Sequence, residues 1–185
     1  VFTWGRNETG QLGLGDVDNR AAPTEVKALA GIKVVDGSCG KSHTVVVTAD
    51  GNAYAWGSNK HGQLGVGSIA RTKPKEDDNR LVPVQCSVSA CGAVACGAEF
   101  TMWICGDDGR LLSAGLPQYG QLGHGTDGEY NMATSSVKLA YEAQPQPLPI
   151  AALAGRKITK VASGHNHTIA VDDQGKFHTW GFGGY

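Results

Sequence analysis

The chain has 185 residues, a net charge of −1, 41% hydrophobic and 18% charged residues. That length supports one domain with a substantial core, and the balance is too apolar for a disordered segment. It creates no whole-molecule field that would favour nucleic acid or an acidic membrane, no segment approaches the ~18 apolar residues of a membrane helix, and the first residues show no signal-peptide pattern.

Glycine is the outlier, with 27 in 185, about twice the usual ~7%. The glycines fall in a loop that recurs. "WGRNETGQLGLGD" starts at Trp4, "WGSNKHGQLGVGS" at Trp56, "AGLPQYGQLGHGT" at Ala114 and "WGFGGY" at Trp180. The glycine after the Trp or Ala falls at Gly5, Gly57, Gly115 and Gly181, in steps of 52, 58 and 66 residues. A shared unit with growing insertions explains those steps. The units run roughly 5–57, 57–115 and 115–181, with insertions at 68–83 and 128–149 of one partial domain. The opening "VFTWG" reads as the second half of a strand, so Val1 need not be a natural terminus.

In chain order, a strand is predicted near Thr24–Ala28 after Pro23, and another over Lys33–Asp36. A small residue and Gly (Cys39-Gly40) then precede an alternating strand, Thr44–Thr48. Asp50-Gly51 turns it into Ala53–Trp56. Asp-Gly between two β-rich runs is among the strongest hairpin signals. The pattern returns as Thr101–Cys105, Asp108-Gly109 and Leu111–Ala114 after Cys96-Gly97. It returns again as Thr168–Val171, Gln174-Gly175 and Phe177–Trp180 after Ser163-Gly164. No amphipathic helix is evident. Four short antiparallel strands per unit, with the glycine loop between units, read as all-β and as β-propeller blades.

Within the loop, Asn7 and Asn59 suit an Asx-type turn. Leu12, Leu64 and Leu122 are expected to plug the gap between blades. Gln11, Gln63 and Gln121 have enough donors and acceptors to satisfy loop backbone. The five cysteines, Cys39, Cys86, Cys91, Cys96 and Cys105, cannot all pair, and their spacing is not that of a zinc knuckle. They read as reduced, buried thiols.

His43 and His167 share a repeat position, so a structural hydrogen bond is expected of them and not catalysis. The alternate spacing of His165 and His167 is no metal site without a third ligand. Asp107-Asp108, Asp172-Asp173 and Asp16/Asp18 sit where turns favour Asp. None of the recurring glycine loops runs into a Gly-Lys-Ser/Thr, so their glycines are not a phosphate-binding P-loop. No catalytic, cofactor or metal residues are assigned.

The ordered motifs "WGxNxxGQLGxG", "CGxxHT" and "DGxxYxWG" resemble the regulator-of-chromosome-condensation repeat over nearly the whole chain. The resemblance implies a seven-bladed propeller, of which about three and a half units are present here. "CGAEFTM" at Cys96, "YGQLGHGTDGEY" at Tyr119 and "TWGFGGY" at Thr179 are similar to one branch of the family, regulator of chromosome condensation protein 2 or telophase-disc protein. That branch implies mitotic chromosomes, microtubules and small GTPases of the Rac and Ral type. The founding branch implies nucleotide exchange on Ran, and both imply a nuclear or cytoplasmic protein. A plant ultraviolet photoreceptor of the same fold carries "GWRHT"; here the matching stretches are "GKSHT", "GAEFT" and "GHNHT", with no tryptophan cluster.

Interruptions of a repeat are the better pointer to partners. The first, Ser68–Pro83, carries Arg71, Lys73, Lys75, Glu76, Asp77, Asp78 and Arg80, and its sign switches from basic to acidic, which suits a steered protein contact. The second holds Glu129, Tyr130 and Tyr141 with Pro145, Pro147 and Pro149, and loop tyrosines are common interface residues. Solvated connections are the alternative for both. The expected function is a protein-interaction platform that binds or regulates a small GTPase as a non-covalent exchange factor. The alternative is a scaffold subunit without exchange activity. A secreted inhibitor or lectin is disfavoured by the unpaired cysteine count.

Overall fold

The structure, a computed structural model, describes residues 1–70, 77–125 and 142–184. Thirteen strands follow in chain order: β1 Phe2–Gly5, β2 Arg20–Glu25, β3 Val34–Cys39, β4 His43–Thr48, β5 Ala53–Ser58, β6 Asn79–Gln85, β7 Cys91–Cys96, β8 Phe100–Cys105, β9 Arg110–Gly115, β10 Gln144–Pro149, β11 Ile158–Ser163, β12 His167–Asp172 and β13 Phe177–Gly181. They form four antiparallel sheets, β1–β2, β3 to β6, β7 to β10 and β11 to β13. Among the described residues the only helical segments are single 3-10 turns at Lys27–Leu29 and Ala151–Leu153. The first strands β3, β7 and β11 pack side by side, so successive sheets are arranged around their innermost strands.

Two expectations about the strands are corrected. The strand placed at Thr24–Ala28 lies earlier, at Arg20–Glu25, with Pro23 inside it. Pro83 lies likewise within β6, and Pro145, Pro147 and Pro149 within β10. These fourth strands are sheet edges, where a missing N–H goes unused. The glycine loop, placed between units, instead joins the third strand to the fourth strand of one sheet, since β5 pairs with β6 and β9 with β10. The end of each insertion is therefore strand: Asn79–Pro83 belongs to β6 and Gln144–Pro149 to β10.

The glycine loop fastens neighbouring sheets. The main-chain carbonyl of Gln11 accepts from Trp56 Nε1 and Thr44 Oγ1, both at 2.8 Å, across the seam to the next sheet. Gln121 O accepts from Trp180 Nε1 at 2.9 Å, with Thr168 Oγ1 at 3.5 Å. Gln63 O accepts from Thr101 Oγ1 at 2.7 Å. Each glutamine side chain turns back on its own loop: Oε1 accepts from the amides of Thr9, His61 and Tyr119 in turn. Leu64 is fully buried between Val45, Val47 and Ala55 on one side and Val94 and Trp103 on the other. Leu122 fills the next seam among Phe100, Met102, Ile158 and Ala170. The glutamines and these leucines behave as the repeat predicts.

The third sheet departs in detail. Thr44 lies opposite Trp56 and Thr168 opposite Trp180, but Thr101 faces Ala114. The missing indole is replaced from the adjacent strand by Trp103, where the other sheets carry Val46 and Ala170. A Cβ on Gly65 would lie 2.5 Å from the Trp103 ring, and one on Gly13 or Gly123 would lie 2.9 Å from Trp56 or Trp180. All three glycines also hold positive φ, from 64° to 77°, which L side chains adopt only with strain. Trp103 restores the volume but not the bond, because its buried Nε1 has no partner. The same seam is compensated by His43, whose Nε2 lies 2.9 Å from Thr101 Oγ1. Thr101 gives its one proton to Gln63 O, so His43 Nε2 carries the hydrogen and donates. Phe100 fills the equivalent position in the next sheet.

The expectation of reduced thiols is also corrected. Cys91 and Cys105 face each other across β7 and β8 and form a disulfide, while Cys39, Cys86 and Cys96 are free. Residue counting alone could not reveal that register.

Ala114→Trp alone should overpack the seam by ~1–3 kcal/mol. Trp103→Val alone should leave a cavity costing ~3 kcal/mol. The double variant should lose at least ~1 kcal/mol less than the sum, because the new indole regains Gln63 O; urea denaturation of the four proteins measures this. His43 supplies a pH test. Burial lowers its pKa from 6.5 to about 4. The unfolded chain therefore takes up a proton first, so this stability is present above pH 6.5 and lost as pH falls toward 4. The loss is on the order of 3 kcal/mol, and His43→Phe, copying Phe100, should flatten that part of the stability–pH curve.

Candidate protein-interaction surface

The first-to-second strand connections share a face with the glycine loops. Lys41 N donates to Ala98 O and Ala98 N to His165 O, each at 3.0 Å. Thr9 Oγ1 donates to Ser42 O at 3.1 Å, and His61 Nε2 lies 3.5 Å from Glu99 Oε2. The glycine loops that precede the two sequence insertions lie on this face, on adjacent sheets. The hairpin turns at Gly51, Gly109 and Gly175 lie at the other ends of the strands.

Two of the three loops are clasped at their base. Asn7 Oδ1 accepts from Leu12 N at 2.9 Å, and its Nδ2 donates to Asp16 O at 2.9 Å. Asn59 repeats this with Leu64 N at 3.3 Å and Ser68 O at 3.0 Å. Each asparagine thus spans its whole loop, which replaces the local Asx turn expected of it. A carboxylate completes each clasp. Asp16 Oδ1 accepts from Asn7 Nδ2 at 3.1 Å and its Oδ2 from Arg20 Nη2 at 2.6 Å. Asp78 accepts from Asn59 Nδ2 at 2.7 Å, Ala70 N at 2.9 Å and Arg80 Nε at 2.7 Å. Burial pushes the Asp78 pKa up, but the bonds from Arg80, Asn59 and Ala70 outweigh it and the net direction is down.

Among the described residues the third loop shows no such clasp. Pro117 stands in place of the asparagine. Gln144 pairs with Gly115 where Arg20 pairs with Gly5 and Arg80 with Gly57, so the arginine is missing too. Ser113 Oγ donates to Leu122 O at 2.7 Å and lies 2.8 Å from His124 Nε2. The one hydroxyl proton is used on Leu122, so His124 Nε2 is the donor of that contact. Partial burial lowers the His124 pKa. Thr3 Oγ1 makes the equivalent bond to Leu12 O in the first loop.

The predicted partner residues therefore divide. Arg71, Lys73, Lys75 and Glu76 lie outside the described residues, as do Glu129, Tyr130 and Tyr141. Asp77 is exposed. Asp78, expected to face a partner, is 6% exposed and turned inward. Arg80, also expected there, lies half-buried in β6 and is held by it. Both are anchors because a buried carboxylate needs its donors. Within the repeated Asp-Asn-Arg at 18–20 and 78–80 the arginine was the available sign, since Arg20 and Arg80 both bind the clasp carboxylate, whereas exposed Asp18 leaves that role to Asp16. Among the described residues no three His, Cys, Asp or Glu side chains gather as a metal site. Asp78→Ala should cost about 2–3 kcal/mol in urea denaturation by stranding its donors, and Asp77→Ala should stay within ~0.5 kcal/mol of the parent.

Comparison with known proteins agrees with this geometry. The model of the regulator of chromosome condensation (RCC1) repeat matches residues 1–47, 50–104 and 108–171. "Protein RCC2 homolog" of Danio rerio is 38% identical over 200 residues, covering 100% of this chain and 38% of the relative. "Protein RCC2" of Homo sapiens is 36% identical over 198 residues, covering 100% and 36%. The ultraviolet-B receptor UVR8 of Arabidopsis thaliana is 36% identical, covering 98% and 37%. The chain thus spans a little over a third of the length of these relatives. Prp20p of Saccharomyces cerevisiae, a structure described with its binding to Gsp1p and histones, superposes with a TM-score of 0.74 at 21% identity, covering 97% of this chain and 39% of Prp20p. With its loops in register and its sheets arranged as in a propeller, the chain belongs to the regulator of chromosome condensation (RCC1) repeat family.

Proposed function

We infer that this chain is part of a propeller platform that binds a small GTPase of the Ran, Rac or Ral type on the glycine-loop face and speeds release of its nucleotide. Exchange of this kind makes and breaks no covalent bond. The platform need only bind the nucleotide-free GTPase more tightly than the loaded form, which shifts the population toward release. The similarity to the RCC2 proteins and to Prp20p supports the partner class. The loss of both clasp residues, at Pro117 and Gln144, carries the choice of site. Two loops are closed by an asparagine and an arginine-bound carboxylate; the third, with the longest insertion, carries neither the asparagine nor the arginine at those positions. Glu129, Tyr130 and Tyr141 are assigned the direct contact, and Arg71, Lys73, Lys75 and Asp77 of the neighbouring insertion steer the approach. Chromosome or microtubule association and a nuclear or cytoplasmic location belong to the same reading.

A scaffold role without exchange is the second reading, favoured by the same two interruptions of the repeat. Release of fluorescent GDP from Ran, Rac and Ral in the presence of the full chain separates the two. Acceleration with one GTPase, lost when Tyr130 and Tyr141 are both replaced by Ala at unchanged Tm, is the expected result. A hot-spot tyrosine is worth roughly 2 kcal/mol, or about 30-fold in Kd. Charge reversal at Lys73 and Lys75 should slow association and weaken its salt dependence. Binding without acceleration leaves the scaffold, and no binding to any of the three removes the GTPase.

A further inference from the structure

The end of each second strand must tie down the hairpin turn that follows. In the second sheet Thr48 does this: its Oγ1 donates to Asn52 O at 3.0 Å and also contacts Asp50. In the fourth sheet Asp172 does it, its Oδ1 accepting from Gln174 N at 3.1 Å and Lys176 N at 2.9 Å. In the third sheet the same place holds Cys105, which has no side-chain group of comparable strength for that tie. The registers make the equivalence plain: Val34 pairs with Thr48, Ile158 with Asp172 and Cys91 with Cys105. Here alone the tie runs sideways, as a disulfide to the start of β7.

The disulfide sits at a joint. Cys91 N donates to Gly51 O at 2.9 Å and Gly106 N to Ala90 O at 2.8 Å. Ala90 has φ of 54° and is the one non-glycine residue with positive φ among the described residues, a conformation that persists only where the surroundings enforce it. The linker 86–90 is shorter than its counterparts 26–33 and 150–157, in which Gly31 and Gly155 take the left-handed position. A strained residue therefore lies directly beside the cross-link that joins β7 to β8.

We propose that Cys91–Cys105 is a redox latch that holds the turn at 106–109 and the linker at 86–90 against the second sheet, and that a dithiol reductant releases both. The balance is simple. A thiolate of the reductant attacks one of the two sulfurs, the S–S bond breaks, and a mixed disulfide forms. The second reductant thiol closes on that mixed disulfide, so Cys91 and Cys105 leave as thiols with two electrons and two protons gained. Cys86 and Cys96 lie in the same apolar cluster but do not compete as nucleophiles. Burial pushes both thiols up, Cys96 to about 12, and the thiolate is the reacting form. Both latch cysteines are buried, so the reductant reaches them when the strained linker opens.

The test is hydrogen exchange with mass mapping on the full chain, equilibrated in glutathione buffers of graded ratio and then in dithiothreitol. A Cys91–Cys105 linked peptide is expected in oxidising buffer. On reduction, amides of 86–94 and 106–110 should exchange about tenfold faster while those of β3 to β5 do not change. The double variant Cys91→Val with Cys105→Thr copies the pair in the second sheet. It should fold, protect the turn and ignore dithiothreitol. Ala90→Gly should shrink the difference between the two redox states, because glycine accepts that φ freely. Failure to find the linked peptide at any ratio overturns the latch, and so does reduction with unchanged exchange at 106–110.

Discussion

One hydrogen-bonded contact organises this chain: the main-chain carbonyl of a loop glutamine, held at a sheet seam and met by side chains of the next sheet. A small sheet cannot bury both of its faces alone, so stability depends on the seams. Gln11 O and Gln121 O are each met by a tryptophan and a threonine from the following sheet, and Gln63 O by Thr101. The contact requires a carbonyl aimed outward from a loop tightly enough folded to lie under an indole ring. That requirement sets the glycines at 13, 65 and 123, the buried leucines and the turned-back glutamine side chains. The loop looks like a ligand cradle in sequence and works as a fastener in structure.

Against that constraint the third sheet stands out. It exchanges Trp for Ala at 114 and gains Trp103, replaces the seam histidine with Phe100, and lacks both clasp residues at 117 and 144. It also closes a disulfide where its neighbours use Val34 with Thr48 or Ile158 with Asp172. The volume is conserved at the Trp103 seam, while hydrogen bonds are given up or rerouted through His43. Among the described residues this unit keeps its packing while changing the side chains that make its polar ties. The interaction reading and the latch both rest on this one unit, from independent residues.

Much of the fold was legible. Period, Asp-Gly turns and alternating runs located the second and third strands to within two residues, because local turn chemistry and burial agree there. The fourth strands were harder. Pro23, Pro83 and the prolines of β10 argue against a strand in isolation, and only their position at a sheet edge makes them acceptable. For the same reason residues of two true strands, 79–83 and 144–149, read as insertion. The site was less legible. Asp78 and Arg80 looked like surface charges because sequence shows no burial; the recurring arginine at 20 and 80 hinted at an anchor, but its carboxylate partner shifts from Asp16 to Asp78. The pairing of Cys91 with Cys105 depends on strand register between residues far enough apart that counting cysteines could not reach it.

Hydrogen exchange at three equivalent amides tests the fastening role of the loops most directly. Leu12 N and Leu64 N donate to asparagine side chains inside their loops, whereas Leu122 follows Pro117 and lacks that acceptor. Leu12 and Leu64 should exchange as slowly as the strands β4 and β5, through global unfolding, and Leu122 should exchange faster through local opening. Uniformly rapid exchange at all three would mean that the glycine loops are ordinary surface connections and that the seams are held by something else.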